Sequence, residues 1–565
     1  MNLQSTDTTS FTERCTQKNG RIFLLFWVLT FALYLPDLKA GWILDAAGWL
    51  YHVRRETFSD YINNTYSEIH SLYQFTEIIT YIFYKLWGAN VYVWSLLFIT
   101  LHAVNCLLLF IVCGNIFSDS GIRKGKMIAL FGILLFIICP HTSEVVIWKA
   151  SYHYLQGFLL LLSILYCVQK YQYNQERKYA WIAVLLFSVS VFSMEVFYVT
   201  PLFVLTLTMY YRYALGYGKA AIKKTITAIF IPQVIIFVGY LLLFYHTYHA
   251  FTPHVNNFFT QTITDYLSKP PKYLFHLLIL GRFFPFAAKV KVYAFCDSAG
   301  FLTVFYGIVA IVFAYLLVRF KKAGINQKAL LLLLSWVAFT LAILMPLAFP
   351  DAALLVFFDR YTYFSSVFVY ITLVLLGSYI PNRYVAYSLL IAYGFVNLFF
   401  TIKLNLYWKH SAYINSRLLH DLPAPGNKTV ILLNLPECMN GVPMLDAQDN
   451  DNYKRLRGIF VDTSIPNKIY DAAAYNMVTP KDGAHATVIN DSTIDVTLNQ
   501  WGNWWWYNGH GALNYETPDY RINFIDGAHQ YELTLKHPAV GYMLLYQAGD
   551  QWKAVDMSKV KQDQY

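Results

Sequence analysis

Eleven apolar runs, most of them near twenty residues long, occupy the first 405 residues of this chain, and the polar loops between them alternate in charge. The runs fall at about 22–38, 91–114, 126–140, 154–170, 179–196, 198–214, 226–246, 301–319, 328–348, 361–380 and 384–404. About twenty apolar residues in helical form span the hydrocarbon of a bilayer. The pattern therefore predicts a polytopic α-helical membrane protein with about eleven transmembrane helices. Composition agrees, with 57% hydrophobic and only 13% charged residues, where a soluble domain carries roughly 25% charged. The net charge of +10 sits in loops and not on a basic stripe of a soluble domain, so nucleic acid is not read as a partner.

The basic loops RKGK (123–126), QKYQYNQERK (169–178), GKAAIKK (218–224), RFKKAGINQK (319–328) and PNRY (381–384) share one side with the N-terminus. Lysine and arginine favour the cytoplasmic side, so residues 1–21 read as a cytoplasmic segment without a cleavable signal pattern, and 22–405 as the membrane domain. The outward loops 39–90 and 247–300, the turns near 140–151, 193–200 and 349–360, and the tail 406–565 then lie on the other, periplasmic side. The localisation this implies is a bacterial inner membrane. The tail turns polar and carries the runs TVILLNL, ATVIND, TIDVTLNQW, YELTLKH and VGYMLLYQAG, which predict a β-rich soluble domain. DAQDNDNYKR (446–455) lacks the glycine and terminal glutamate of a calcium loop and reads as surface loop.

The seven cysteines show no metal-ligand spacing; a bridge between Cys296 and Cys438 is left open. No cofactor is implied, and a divalent metal has nothing to support it.

Ionisable residues at membrane depth are costly and mark functional places. Four stand out, all on the outward face. Asp45 in AGWILDAAGWLYHVRRE is flanked by Trp42, Ile43, Leu44, Ala46, Ala47 and Trp49, a low-dielectric setting in which a carboxylate can take a proton from a hydroxyl. The plainer alternative is an interfacial amphipathic helix whose aspartate faces water; Asp37 is a second carboxylate nearby in sequence. His141 and Glu144 in PHTSEVVIWK share a helical face, which suits a hydrogen-bonded pair or two metal ligands, though two ligands do not make a metal site; the plainer reading is a helix start capped by Thr142 or Ser143. Glu195 in FSMEVFYVTP is the only charge between Trp181 and Tyr211. Asp359 and Arg360 in FFDRYTYFSS open an apolar helix, and arginine holds phosphate in a bidentate fork. Trp501, Trp504, Trp505 and Trp506 in the tail suit sugar stacking, an interfacial anchor or a small core.

Taken in order, these segments resemble the GT-C superfamily of membrane glycosyltransferases, most closely the O-mannosyltransferase-like branch whose members often carry tetratricopeptide repeats. The helix with His102, Ala103 and Asn105 is similar to the family's His-Ala-x-Asn pattern, HTSEVV to its His-Thr-Glu turn and SMEVFYVTPL to its Ser-Lys-Glu turn. DRYTYFSS resembles its Glu-Arg-Tyr-x-Tyr-x-Pro-Ser segment, and NLYWKHSAY (405–413) the region after its final span. The likeness covers about residues 22–415. Departures are Ala46 where the family has a second acid, Met194 for its lysine, Asp359 for its glutamate, Ser365 for its proline, and a β-like tail in place of the repeats.

The resemblance implies an inverting transfer of a sugar from a polyprenyl-phosphate donor in the lipid bilayer to a protein or glycolipid acceptor. Asp45 would be the base. Arg360, Lys149 and Arg282, with Lys289 and Lys291 as further candidates, would hold the phosphate. His141, Glu144, Glu195, Asp359 and His102 would shape the pocket. The altered motifs leave open a non-catalytic membrane scaffold or a transporter of lipid-linked glycans.

Overall fold

A computed structural model describes residues 19–43, 45–63, 72–122, 124–249, 262–319, 325–346, 359–445, 452–461, 468–498, 505–506, 514–526 and 529–558. Its helices are α1 (Asn19–Tyr34), α2 (Asp45–Arg55), α3 (Phe58–Asn63), α4 (Gln74–Trp87), α5 (Val91–Asp119), α6 (Gly125–Ile137), α7 (Ser143–Ile147), α8 (Tyr152–Asn174) and α9 (Arg177–Ser190). They continue as α10 (Thr200–Tyr213), α11 (Lys219–Tyr248), α12 (Ile263–Ile279), α13 (Phe286–Cys296), α14 (Ala299–Arg319), α15 (Ile325–Ala342), α16 (Arg360–Gly377), α17 (Arg383–His420) and α18 (Asn452–Phe460). The chain divides into two compact units, one of residues 1–35, 56–147 and 151–402, the other of 36–55, 148–150 and 403–565.

The first unit is a helical bundle, and the chain is a polytopic α-helical membrane protein with a β-rich C-terminal part. Each of the eleven apolar runs contains a helix, because a buried or lipid-facing backbone must satisfy its polar groups within the segment. Their lengths differ from the expectation. Among the described residues six helices are long and apolar enough to cross a membrane, or eight if two bent pairs each count as one span. The helices α9 and α10 have 14 residues each, about 21 Å at 1.5 Å per residue, short of a hydrocarbon core of about 30 Å. They are short because the chain breaks into a 3₁₀ turn at Glu195–Val199 between them. A further break at Pro140 bends α6 from the segment after it by 66°. In α11 a π turn at Ile226–Phe230 precedes Pro232, which cannot donate to the ladder.

The most apolar stretches of α8 and α16 are 78% buried and that of α11 only 17%, so the first two form the centre and α11 the rim. α16 packs against α6 and α15, and α8 against α5 and α9. Contact between α6 and α16 requires Gly132: a Cβ there would lie 2.8 Å from the Ile371 Cα. The stretch 247–300, expected as a loop, is largely helical in its described part. α12 opens with a Thr262–Asp265 capping box and carries Pro270 and Pro271 in its interior.

The second unit holds the strands β1 (Thr429–Leu432), β2 (Leu435–Met439), β3 (Val442–Pro443), β4 (Ile469–Asp471), β5 (Ala474–Met477), β6 (Ala484–Val488), β7 (Thr493–Leu498), β8 (Trp505–Trp506), β9 (Tyr515–Glu516), β10 (Tyr520–Asp526), β11 (Gln530–Leu535), β12 (Tyr542–Ala548) and β13 (Gln551–Ala554). They form three sheets among the described residues, of strand order β13-β12-β1-β4, β6-β7-β11-β10-β9 and β3-β2-β5-β8. β1 (Thr429–Leu432) pairs in parallel with β12 (Tyr542–Ala548) and β4 (Ile469–Asp471). All five runs marked in the sequence contain strands. β7 (Thr493–Leu498) and β11 (Gln530–Leu535) alternate buried and half-buried residues, as strands covered on one face do. Within 446–455, the described residues 452–455 begin α18 and are not loop; Tyr453 is fully buried and donates to the Leu418 carbonyl. Residues 36–55 belong here. Arg54 donates to the Ile459 carbonyl at 2.7 Å, and Trp148 Nε1 to the Ile43 carbonyl at 2.8 Å. No disulfide joins the six described cysteines, Cys296 and Cys438 among them.

Candidate functional site

The turn Pro140–Thr142 and α7 bring His141 and Glu144 to the start of α16. Glu144 accepts twice from Arg360, from its backbone N–H at 2.9 Å and from Nη1 at 2.5 Å. Asp359 turns the other way. Its Oδ1 is 2.9 Å from His141 Nδ1, and its Oδ2 accepts from Arg282. Asp359 and Arg360, neighbours in sequence, thus enter two crossed pairs with other partners. Successive helical positions point about 100° apart, so neighbours along the chain cannot face one another. His141 Nε2 lies 2.9 Å from the His276 carbonyl, so both ring nitrogens of His141 face acceptors. The ring ties the Pro140 turn to α12 and to the start of α16. His276 in turn bonds Tyr293.

These charges are withdrawn from solvent: Asp359 and Glu144 are 5% exposed, Arg282 7% and His141 0%. Burial pushes the Asp359 carboxyl up, but the Arg282 guanidinium and His141 outweigh it and hold the group down to about 2. Lys289, also buried, is within electrostatic reach of Arg282 and Asp359; Lys291 is exposed. Glu195 accepts a hydrogen bond from Tyr73. Tyr154 and Tyr361, their rings 6.3 Å apart edge to face, feel the charges of Glu144, Glu195 and Arg360 together. Three of the four marked segments thus meet in one region of the first unit.

His102 lies elsewhere, fully buried in the bundle, with Nδ1 2.9 Å from the Tyr363 hydroxyl and its ring against Phe136. Lys149 and Asp45 belong to the second unit. Lys149 is 1% exposed and within electrostatic reach of Asp37. Asp45 is exposed in the first turn of α2, where a carboxylate complements the helix dipole, while Ala46 and Ala47 turn inward. The apolar flanks of Asp45 thus fill this unit's interior and do not enclose the carboxylate. Asp37 is 3% exposed and neither carboxylate oxygen has a hydrogen-bond partner. A cavity of about 220 Å³ in the same unit is lined by Trp42, Ile43, Asn415, Met444, Leu456 and Phe460 among others, and the buried Asn415 Oδ1 lacks a partner. Trp505 and Trp506 form a short strand paired with Ala474 and Tyr475; Trp501 and Trp504 lie outside the described residues. No group of three or more His, Cys, Asp or Glu side chains is arranged to hold a metal ion among the described residues.

Sequence reasoning missed Tyr73, His276 and Tyr293. Tyrosine is too frequent here, 46 of 565 residues, for any one to signal a role.

Bundle and buried charge cluster define the class: an integral membrane protein with a polar centre at the start of one of its two most enclosed spans. No family model matches the chain, and no curated protein matches it. Among solved structures the chain is similar to the apo oligosaccharyltransferase of Archaeoglobus fulgidus, at 11% identity and TM-score 0.38, over 73% of this chain and 62% of that one. It is also similar to the same organism's AglB in complex with an inhibitory peptide and a dolichol-phosphate, at 12% identity and TM-score 0.38, over 75% and 63%. A third is ArnT from Cupriavidus metallidurans bound to undecaprenyl phosphate, at 12% identity and TM-score 0.34, over 80% and 92%. The chain thus spans less than two thirds of the archaeal enzyme's length.

Proposed function

We propose that this protein is an integral membrane glycosyltransferase of the GT-C type. In this reading it moves a sugar from a polyprenyl-phosphate donor to an acceptor hydroxyl on the outer face of a bacterial inner membrane. What carries the reading is the meeting of the HTSEVV, SMEV and DRYTY segments, whose resemblance to GT-C motifs comes from sequence alone, around buried crossed ion pairs. A bundle that only had to be stable would gain little from them, since desolvation offsets most of the attraction. In this reading residues 1–21 face the cytoplasm and the tail 406–565 the periplasm, an orientation that the basic loops support.

In the proposed reaction Asp45 accepts the proton of the acceptor hydroxyl. That oxygen attacks the anomeric carbon from the face opposite the phosphate. The bond from carbon to the phosphate oxygen breaks, and its electron pair leaves with the polyprenyl phosphate, so the configuration inverts. Arg360 and Arg282, positioned by Glu144 and Asp359, and Lys149 offset the charge on the departing phosphate. The cavity walled by Trp42 and Ile43, on the segment leading into Asp45, is the place for the acceptor's apolar part.

The test is transfer from a polyprenyl-phosphate sugar in proteoliposomes. Asp45→Asn is expected to lose about 10²–10⁴-fold, as removal of a general base does, and Arg360→Ala about 10²–10³-fold. Full activity in both variants sinks the assignment. A non-catalytic scaffold is the second reading, favoured by one observation: Arg282 and Arg360 each already face a carboxylate. Wild-type protein inert with every donor tried would select it.

A further inference from the structure

A second polar place lies in the first unit, away from the Glu144–Arg360 pair. Along α8, Lys170 stands about five turns beyond Tyr152, roughly 27 Å at the helical rise. There a cavity of about 250 Å³ opens, and Asn19, Asn115, Lys126, Tyr166 and Lys170 line it together with an apolar wall of Phe110 and Ile111. Its parts come from the start of α1, the end of α5, the start of α6 and the end of α8, so it sits where two helices begin and two finish.

The lining is anchored. Asn115 Nδ2 donates to Gln169 Oε1 at 3.0 Å, and Gln169 Nε2 donates to the Val112 carbonyl at 2.9 Å. Lys170 Nζ lies 5.5 Å from the centre of the Tyr166 ring. Lys126 runs past Gly114, where a Cβ would lie 3.7 Å from its Cγ. Among the described residues neither Lys126 nor Lys170 has an acidic partner. Two ammonium groups with no acidic partner among the described residues, a phenol and two side-chain amides thus line one concavity at the bundle's end. Nearby positive charges without counter-charges repel each other, and an anion placed between them relieves that cost.

We propose that this cavity binds a phosphate group. Lysine is a point-charge phosphate ligand, and basic pockets between membrane helices take phospholipid head groups. The wall of Phe110 and Ile111 would lie against the first carbons of a lipid glycerol. The same chemistry would take free phosphate, so the experiment separates the two sources. The inference does not rest on the transferase reading and requires no catalysis.

Native mass spectrometry of the full chain, released from nanodiscs, tests it. The nanodiscs hold phosphatidylcholine alone, phosphatidylcholine with phosphatidylglycerol, or phosphatidylcholine with inorganic phosphate in the buffer. Wild type is expected to retain phosphatidylglycerol or phosphate over phosphatidylcholine. Each lysine contributes about fivefold, so Lys126→Gln with Lys170→Gln weakens retention about 25-fold. Asn115→Leu, which replaces a lining amide by an apolar side chain and leaves both lysines, lowers retention too and serves if the double variant unfolds. Lys223→Ala, which removes a charge outside the cavity, leaves retention unchanged. Retention of phosphatidylglycerol identifies a lipid; retention of inorganic phosphate alone identifies the free anion. Equal retention in wild type and in both cavity variants, or an equal loss in Lys223→Ala, overturns the proposal.

Discussion

Asp359 in the membrane unit and Asp37 in the second unit are equally withdrawn from water, at 5% and 3% exposure, yet their surroundings are opposite. Asp359 is held by Arg282 on one oxygen and His141 on the other. Asp37 has two lysines, Lys149 and Lys409, within electrostatic reach, but no hydrogen-bond partner on either oxygen. A buried carboxylate whose lone pairs are all met contributes to one rigid arrangement. One whose lone pairs are unmet carries the desolvation cost without the return. The first is built to stay as it is; the second has capacity for a donor brought by something else.

Reversible unfolding in mixed micelles can break or sharpen this contrast. The largest effect is expected from Arg360→Ala, which leaves Glu144 buried without its cation and costs about 3–5 kcal/mol. Replacing both by leucine should recover most of that loss, and failure to recover would mean that Glu144 has other support. Next comes Asp359→Asn, at about 3 kcal/mol. Because the Asp359 carboxyl is held down at about 2, below the ordinary aspartate value of about 4, its contribution is full above about pH 4 and is lost as pH falls through 2. The variant should lack that acid limb, and an unchanged limb would assign acid sensitivity elsewhere. Tyr73→Phe removes the donor to Glu195 and should cost about 1.5–3 kcal/mol, as bonds to charged groups do. The smallest effect has the opposite sign: Asp37→Asn should stabilise by about 1 kcal/mol. A loss comparable to that of Asp359→Asn would show that Asp37 is as well supported as its counterpart.

Hydropathy located the helices of the eleven long apolar runs because such a run has one way to satisfy its backbone in lipid. It could not give their lengths, since Pro140 and the 3₁₀ turn at Glu195 act locally inside continuous apolar sequence. The helices of 247–300 escaped because Pro270 and Pro271 argue against a helix, although Thr262 and Asp265 stand at capping-box spacing. Four site residues, His141, Glu144, Asp359 and Arg360, stood out as charges in apolar settings. Who pairs with whom did not, because the pairings run over separations of 77 to 218 residues. Asp45 drew notice for its apolar neighbours, but alternation at a helix start sends those neighbours inward and the carboxylate out.

The crossed pairs also impose an order on biosynthesis. Glu144 and Arg360 are 216 residues apart, so at 5–20 residues per second the Pro140 turn exists for about 10–40 s before its cation has been made. Through that interval His141 and Glu144 have neither Asp359 nor Arg360, and the cheapest place for them is the water at the membrane surface. The last helices therefore do more than complete the bundle: their arrival lets an earlier turn leave the interface and settle inward.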